Sequence, residues 1–167
     1  KKIGLFWLRD DFRVTKNDGL IEASRNHDQV VVFYLYKKDT YKDREAQKWW
    51  VYKSLLNFQK KLNYLNITLE VIETNSFKFF FDKLTKKKDF TIYWNKVYEP
   101  DYLKFDEYLS FNLKKNGISF KRFKGNALNE IEEIKKNDGT PFKVFTPYWR
   151  AAEKYYLEKI PSKEKII

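Results

Sequence analysis

The sequence predicts an α/β domain of the Rossmann-like, three-layer type, with a five-stranded parallel sheet and helices on both faces. Short runs rich in β-branched and aromatic residues alternate with longer segments in which apolar residues recur every three or four positions. The run QVVVFYLY at residues 29–36 is apolar throughout, as is typical of a strand buried on both faces of a sheet. Strands that alternate with helices favour right-handed crossovers and therefore parallel pairing.

Five strands and four helices are predicted in order up to residue 124. The strands are expected at residues 3–8, 29–36, 67–73, 90–94 and 118–123. The helices are expected at residues 18–26, 43–64, 77–87 and 101–115. Asn17 is a suitable N-cap for the first helix, and Gly117 stands just past the end of the fourth. The second helix carries an apolar stripe of Val51, Leu55, Phe58, Leu62 and Leu65.

The alternation stops after Lys124, which divides the chain into two parts. Residues 1–124 are predicted to form the α/β domain, and residues 125–167 an interdomain linker into a further domain. Within the linker we expect a helical turn at 127–134, an extended piece at 142–145 and a helix from Pro147 to Tyr156.

Charge and cysteine content restrict the possible functions. The net charge of +11 favours a polyanionic partner such as nucleic acid, but a lysine-rich composition from an A+T-rich genome explains it equally well. The chain has no cysteine, which excludes disulfides and thiolate chemistry and fits a cytoplasmic protein. No apolar run approaches the ~20 residues that span a bilayer, and no signal-peptide pattern is present, so no membrane association is expected.

Several familiar site motifs are absent. Only five glycines occur, and neither a G-x-G-x-x-G fingerprint nor a phosphate-binding P-loop follows the first strand. His27 is the single histidine, so a Ser/His/Asp hydrolase or a histidine-based metal site is disfavoured. We expect no metal site.

A dense cluster of charges, RDDFR at residues 9–13, directly follows the first strand. In open α/β sheets the loops at the carboxyl ends of strands bind ligands, so the cluster is a candidate site. Its charges could instead form ion pairs that shape the loops or brace a domain interface. For Arg9, Asp11 and Arg13 we favour the structural interpretation.

Four motifs in order resemble the DNA photolyase/cryptochrome family. FWLRDDFR at residues 6–13 is similar to the family's W-F-R-x-D-L-R opening, followed by Asn17 and Leu20. Ser54, Leu55 and Leu62 match its second-helix pattern. IYWNKVYEP at 92–100 and PFKVFTPYWR at 141–150 resemble its V-Y-W-N-x-x-Y-E-P and P-Y-x-V-F-T-P-F-W-x segments.

The resemblance implies the N-terminal antenna domain of a deoxyribodipyrimidine photolyase, a carbon–carbon lyase. In that family a larger helical domain binds FAD and the damaged DNA, and light-excited reduced FAD splits the pyrimidine dimer by electron transfer. This chain would then carry no catalytic residue and would be inactive alone. Its implied partners are its own FAD domain and, through the full-length enzyme, UV-damaged DNA, and we expect a monomer.

The resemblance also implies an antenna chromophore at the rim of the strand ends. Trp7, Arg9, Asp11, Lys42, Trp94, Asn95, Glu99, Asp101 and Tyr102 are the candidate binding residues. Folate-binding members have Asn-Glu where this chain has Asp101-Tyr102, and a histidine near the position of Lys42. Val97 stands where deazaflavin-binding members have an aspartate. Methenyltetrahydrofolate, a flavin, a deazaflavin or no antenna all remain open.

Three other functions fit the same residues less well. A cryptochrome-type blue-light photoreceptor would share the fold. A stand-alone nucleotide- or flavin-binding module would need phosphate-binding glycines that are missing here. The third is a structural fragment without a ligand.

Overall fold

The computed structural model describes residues 3–130 and 132–158 of the chain. The strands are β1 (Ile3–Leu8), β2 (Val30–Tyr36), β3 (Thr68–Glu73), β4 (Phe90–Asn95) and β5 (Ser119–Phe123). The helices are α1 (Asp18–Asn26), α2 (Glu45–Asn63), α3 (Phe77–Leu84), α4 (Pro100–Lys115) and α5 (Phe145–Glu158). A short 3-10 helix, Lys38–Tyr41, lies between β2 and α2.

The strands form one parallel sheet in the order β3-β2-β1-β4-β5. This confirms the predicted α/β class and the five-stranded parallel sheet. β1 is central, and Trp7 pairs with Phe33 of β2 on one side and with Trp94 of β4 on the other. Because the chain leaves β1 toward β2 and later returns to its other side, the sheet has a topological switch point at the carboxyl ends of β1 and β4.

Each face of the sheet has its own apolar core. Side chains alternate along a strand, so Phe6 and Leu8 face α1 and α2, whereas Trp7 faces α3 and α4. On the α3–α4 side the ring of Trp7 makes edge contacts with Phe77, Phe81 and Phe105 at centroid distances of 5.6, 4.8 and 5.9 Å. This aromatic packing fixes the position of both helices against β1.

Most boundaries agree with the sequence to within two residues, and the end of α3 is the exception. α3 ends at Leu84, three residues early: the N–H of Thr85 bonds the carbonyl of Phe81, Thr85 and Lys86 form a turn, and Lys87 and Lys88 follow it. The last helix begins at Phe145, two residues before Pro147. A proline in the first turn is tolerated there because that N–H has no helical partner.

Within the helical turn predicted at 127–134, the described residues form bends at 127–129 and one turn in which the Glu133 N–H donates to the Glu130 carbonyl at 3.1 Å. The Glu133 carboxylate also accepts a hydrogen bond from the Glu130 N–H at 2.9 Å. Residues 142–144 lie outside any strand, and α5 begins at the next residue.

The described chain forms two compact units, residues 3–125 and the described part of residues 126–158. The first contains the whole sheet. That residues 125–167 lead into a FAD domain stays a prediction, and residues 159–167 lie outside the described part. In that part, no helix is long and apolar enough to cross a membrane.

Candidate functional site

The charged cluster after β1 is anchored at the switch point by Arg9. Its Nη1 donates to Asp106 Oδ1 at 2.9 Å and its Nη2 to Asp106 Oδ2 at 3.2 Å. Nη2 also donates to the backbone carbonyl of Asn95, the last residue of β4. The two charged side chains are only 4% and 0% exposed, so this bidentate ion pair ties β1, β4 and α4 together inside the domain.

Burial opposes ionisation of both partners. It lowers the pKa of Arg9 and raises the pKa of Asp106, while the ion pair between them acts in the opposite direction. The guanidinium carbon of Arg9 also lies 4.8 Å from the ring centroid of Trp7 and 5.4 Å from that of Tyr102. Arg9 therefore lies between two aromatic rings with its charge already paired.

Asn95 holds the other end of the charged cluster. Its Nδ2 donates to Asn17 Oδ1 at 2.8 Å and to Asp11 Oδ2 at 3.4 Å, and its Oδ1 accepts from the Gly19 N–H at 3.2 Å. Asn17 in turn caps α1 by accepting from the Leu20 N–H. A Cβ at Gly19 would lie 2.5 Å from Asn95 Oδ1, so only glycine permits this approach. These contacts fix the start of α1 against the end of β4.

An open cleft of about 400 Å³ lies beside this network. We call it the carboxyl-edge cleft; it is lined by Lys37, Thr40, Ser76, Phe77, Lys78, Glu99, Asp101, Tyr102 and Phe105. A recess of about 60 Å³ shares Lys37, Thr40, Phe77 and Tyr102 with it and reaches Trp7 and Arg9. The cleft thus lies on the segments that follow the carboxyl ends of β2, β3 and β4.

The lining of the cleft suits a flat aromatic molecule with polar edges. Phe77, Tyr102 and Phe105 provide ring surfaces, and the Lys37 ammonium lies 4.3 Å from the centroid of Phe77. Glu99 and Asp101 are exposed carboxylates that can accept hydrogen bonds. Burial raises the pKa of the Tyr102 hydroxyl, which keeps it a neutral donor. The volume lies within the range of small-molecule sites, about 300–1,000 Å³.

The candidate rim residues divide into three groups. Glu99, Asp101 and Tyr102 line the cleft, and Trp7 and Arg9 line the recess. Asp11 and Asn95 belong to the buried network, and Trp94 is fully buried and stacks on Phe120 at 5.5 Å. Lys42 is exposed after the 3-10 helix and lies outside the lining.

Sequence reasoning missed Lys37, Phe77 and Asp106. The first two come after the carboxyl ends of β2 and β3, the same topological position that singled out Arg9. Asp106 stands three residues before Leu109 and seven before Leu113, the stripe that faces the sheet. An aspartate in phase with a buried stripe was the available signal for a partner of Arg9.

A second cavity of about 440 Å³ lies between α2 and β3. We call it the α2 groove; it is lined by Tyr36, Tyr41, Glu45, Lys48, Trp49, Val51, Tyr52, Leu55 and Val71. Trp49 and Tyr52 are 58% and 57% exposed. Apart from Glu45 and Lys48 its lining lacks charged groups, so it offers fewer orienting contacts than the carboxyl-edge cleft. Among the described residues, no group of acidic or histidine side chains is arranged to hold a metal ion.

Comparisons with known proteins agree with this topology. A deoxyribodipyrimidine photo-lyase of Agrobacterium fabrum is 28% identical over 89% of this chain, and cryptochrome-1 of Arabidopsis thaliana is 26% identical over 87% of it. The crystal structure of a class III photolyase from Agrobacterium tumefaciens superposes with a TM-score of 0.80 at 27% identity, covering 91% of this chain and 32% of that one. The chain spans 31% of the first relative and 22% of the second.

The DNA photolyase family model matches residues 4–164, which include β1, the buried Arg9–Asp106 pair and the cleft. The superposition on a solved photolyase shows that the fold of this chain, with its five-stranded parallel sheet, agrees with that match. The chain therefore belongs to the DNA photolyase family and corresponds to its N-terminal α/β domain.

Proposed function

We propose that this chain is the N-terminal domain of a deoxyribodipyrimidine photolyase and that its carboxyl-edge cleft binds an antenna chromophore. The observation that carries the first part is the family match over residues 4–164. The full-length protein would repair UV-induced pyrimidine dimers in DNA with FAD held by a further domain. We further propose a monomeric, cytoplasmic protein, in keeping with the cysteine-free sequence.

The lining of the cleft supports the second part of the proposal. Phe77 and Tyr102 would contact the faces of a flat ring system, and Asp101 would accept a hydrogen bond from a ring N–H. Lys37 would pair with an anionic substituent such as a glutamate tail or a phosphate. A bound antenna would supply absorption of light and transfer of excitation energy; the residues of this chain only hold and orient it.

A binding experiment tests the location of the site. The chain is titrated with methenyltetrahydrofolate and, separately, with FMN, and binding is followed by absorbance and fluorescence. For whichever probe binds, we expect Phe77→Leu and Asp101→Asn each to raise the dissociation constant about tenfold, equivalent to ~1.4 kcal/mol. The controls are Trp49→Ala and Tyr52→Ala in the α2 groove, which should leave the affinity for that probe unchanged.

Two results would contradict the proposed site. Loss of binding with Trp49→Ala, but not with Phe77→Leu, would move the chromophore to the α2 groove. Failure of both probes to bind to a chain whose far-ultraviolet circular dichroism is native would contradict a folate or flavin antenna in this cleft.

The repair activity is tested separately with the full-length protein. A dimer-containing oligonucleotide is illuminated with the flavin reduced, and restored thymines are measured by chromatography. Repair is expected. Flavin photoreduction without repair would favour the cryptochrome-type alternative, which the likeness to the Arabidopsis protein keeps open.

A further inference from the structure

The amino-terminal edge of the sheet carries a dense set of lysines. Each of the helices α1 to α4 follows one strand and leads back to the start of the next, so all four end at this edge. The last turns of α2, α3 and α4 and the turn after α3 place exposed lysines there. We call them the amino-edge lysines: Lys60, Lys61, Lys83, Lys86, Lys87, Lys88, Lys114 and Lys115.

Few acidic residues offset this charge. The last turns of these helices and the segments that join them to the next strands contain three acids, Asp28, Asp82 and Asp89. Among the described residues, no ion pair joins an amino-edge lysine to a carboxylate. The loops at the opposite edge mix both signs, since Asp10, Asp11, Asp39, Asp43 and Glu99 lie among their cations.

Helix dipoles explain only part of the pattern. A cation in the last turn of a helix is stabilising, which accounts for Lys60, Lys61, Lys114 and Lys115. Lys86, Lys87 and Lys88 lie beyond the end of α3, where the dipole effect fades and neighbouring charges repel one another. A polyanion at this edge would relieve that repulsion.

We propose that the amino-edge lysines bind the phosphate backbone of duplex DNA without regard to sequence or damage. Five strands spaced about 4.8 Å apart make an edge roughly 20 Å wide, so the lysines are spread over a surface rather than gathered into a pocket. Duplex DNA presents one charge per ~1.7 Å of its axis and matches such a spread. The large hydrophobic side chains exposed near these lysines are Tyr64, Phe79 and Phe111. They belong to three separate segments, whereas a lipid-binding helix presents its apolar residues as one face of a single element.

The experiment measures binding of the chain to a short, lesion-free duplex by fluorescence anisotropy over a series of salt concentrations. The variant Lys86→Gln/Lys87→Gln/Lys88→Gln removes three charges from the edge. We expect its affinity at low salt to fall about tenfold or more, and its salt slope to decrease by about 2–3, since each phosphate contact contributes ~0.9 to that slope. The control, Lys16→Gln/Lys48→Gln/Lys104→Gln, removes the same charge from exposed positions elsewhere and should lose less than about twofold.

Three outcomes would overturn the proposal. Equal losses of affinity in both triple variants would show that the effect depends on the net charge of the chain and not on the amino-edge lysines. An unchanged salt slope in the edge variant would place the contact elsewhere. Binding to phosphatidylserine vesicles with no binding to the duplex would identify a membrane surface instead. Because the duplex carries no lesion, these results do not depend on whether the full-length protein repairs DNA.

Discussion

Arg9 and Arg13 stand four residues apart in the same charged cluster but belong to different environments. Arg9 points inward and bonds Asp106, 97 residues away in sequence, with almost no exposure. Arg13 pairs with Asp11 two residues away, and its side chain is 48% exposed. The inner pair determines how three elements meet, whereas the outer pair shapes one loop. A charge motif at a strand end can therefore be mostly structural, with the candidate cleft beside it.

The strongest test of the comparison removes the inner carboxylate. Asp106→Ala leaves the Arg9 guanidinium buried without its partner, so we expect the free energy of unfolding to fall by about 3–5 kcal/mol. Urea denaturation followed by tryptophan fluorescence measures the change. In an Arg9→Met background, Asp106→Ala should lower the free energy of unfolding by much less, because no buried charge is left without a partner. A loss below about 1 kcal/mol in the single variant would show that Arg9 reaches water.

The link between the two pairs is Asn95, and its removal should have an intermediate effect. Asn95→Ala deprives the Gly19 N–H of its acceptor and Asn17 Oδ1 of a donor, and an unsatisfied buried group costs about 1–3 kcal/mol. The control is Asn112→Ala, since Asn112 donates only to the Tyr108 carbonyl one turn back on its own helix. Equal losses of unfolding free energy in the two variants, measured by urea denaturation, would contradict the inference that Asn95 links the two pairs.

The outer pair should contribute least of the groups in the cluster. We expect Arg13→Gln to cost no more than about 1 kcal/mol, since one partner is well solvated. The cost should shrink when sodium chloride is raised, because salt screens exposed charges. A loss as large as that of Asp106→Ala would erase the distinction between the inner and outer arginines.

A surface pair extends the comparison to pH. The Lys121 ammonium lowers the pKa of Glu22 below its usual 4.5, so the carboxylate is favoured in the folded state. The contribution of Glu22 is therefore present above pH 4.5 and is lost as the pH falls through its folded pKa. The difference in unfolding free energy between wild type and Glu22→Gln should be under about 1 kcal/mol at neutral pH and fade in acid. A difference that grows in acid would contradict the sign.

The fold was predictable from the sequence because it depends on periodic burial. β2 is apolar along its whole length, and the stripe from Phe58 to Leu62 faces the sheet as expected. The helical turn predicted at 127–134 does not extend into a helix among the described residues, where Ile134 is buried, Leu128 is exposed and the Glu133 carboxylate accepts a hydrogen bond from the Glu130 N–H.

The candidate site was predictable only in part, because it depends on contacts between distant segments. Periodicity could mark Asp106 as a buried position of α4, but it could not indicate that Phe77 would form one wall of the cleft. Glu99 was singled out in the loop after β4, and Asp101 and Tyr102 were singled out because folate-binding members of the family have Asn-Glu there. Trp94 was also singled out at a strand end, yet its strand position directs its ring into the core against Phe120.

The strand order β3-β2-β1-β4-β5 determines the order in which contacts within the sheet can form during synthesis of the chain. β1 and β2 can pair early, but β4, the second neighbour of β1, is complete only at Asn95, and the carboxylate for Arg9 is added only at Asp106. A ribosome adding about 5–20 residues per second needs roughly 5–20 s to add the 97 residues that separate Arg9 from Asp106. For most of that time one side of the central strand and a charge destined for the core stay open to water and to other chains. The centre of the finished domain, where Trp7 and Trp94 are almost fully buried, is thus exposed on one side for much of the time that the chain is being made.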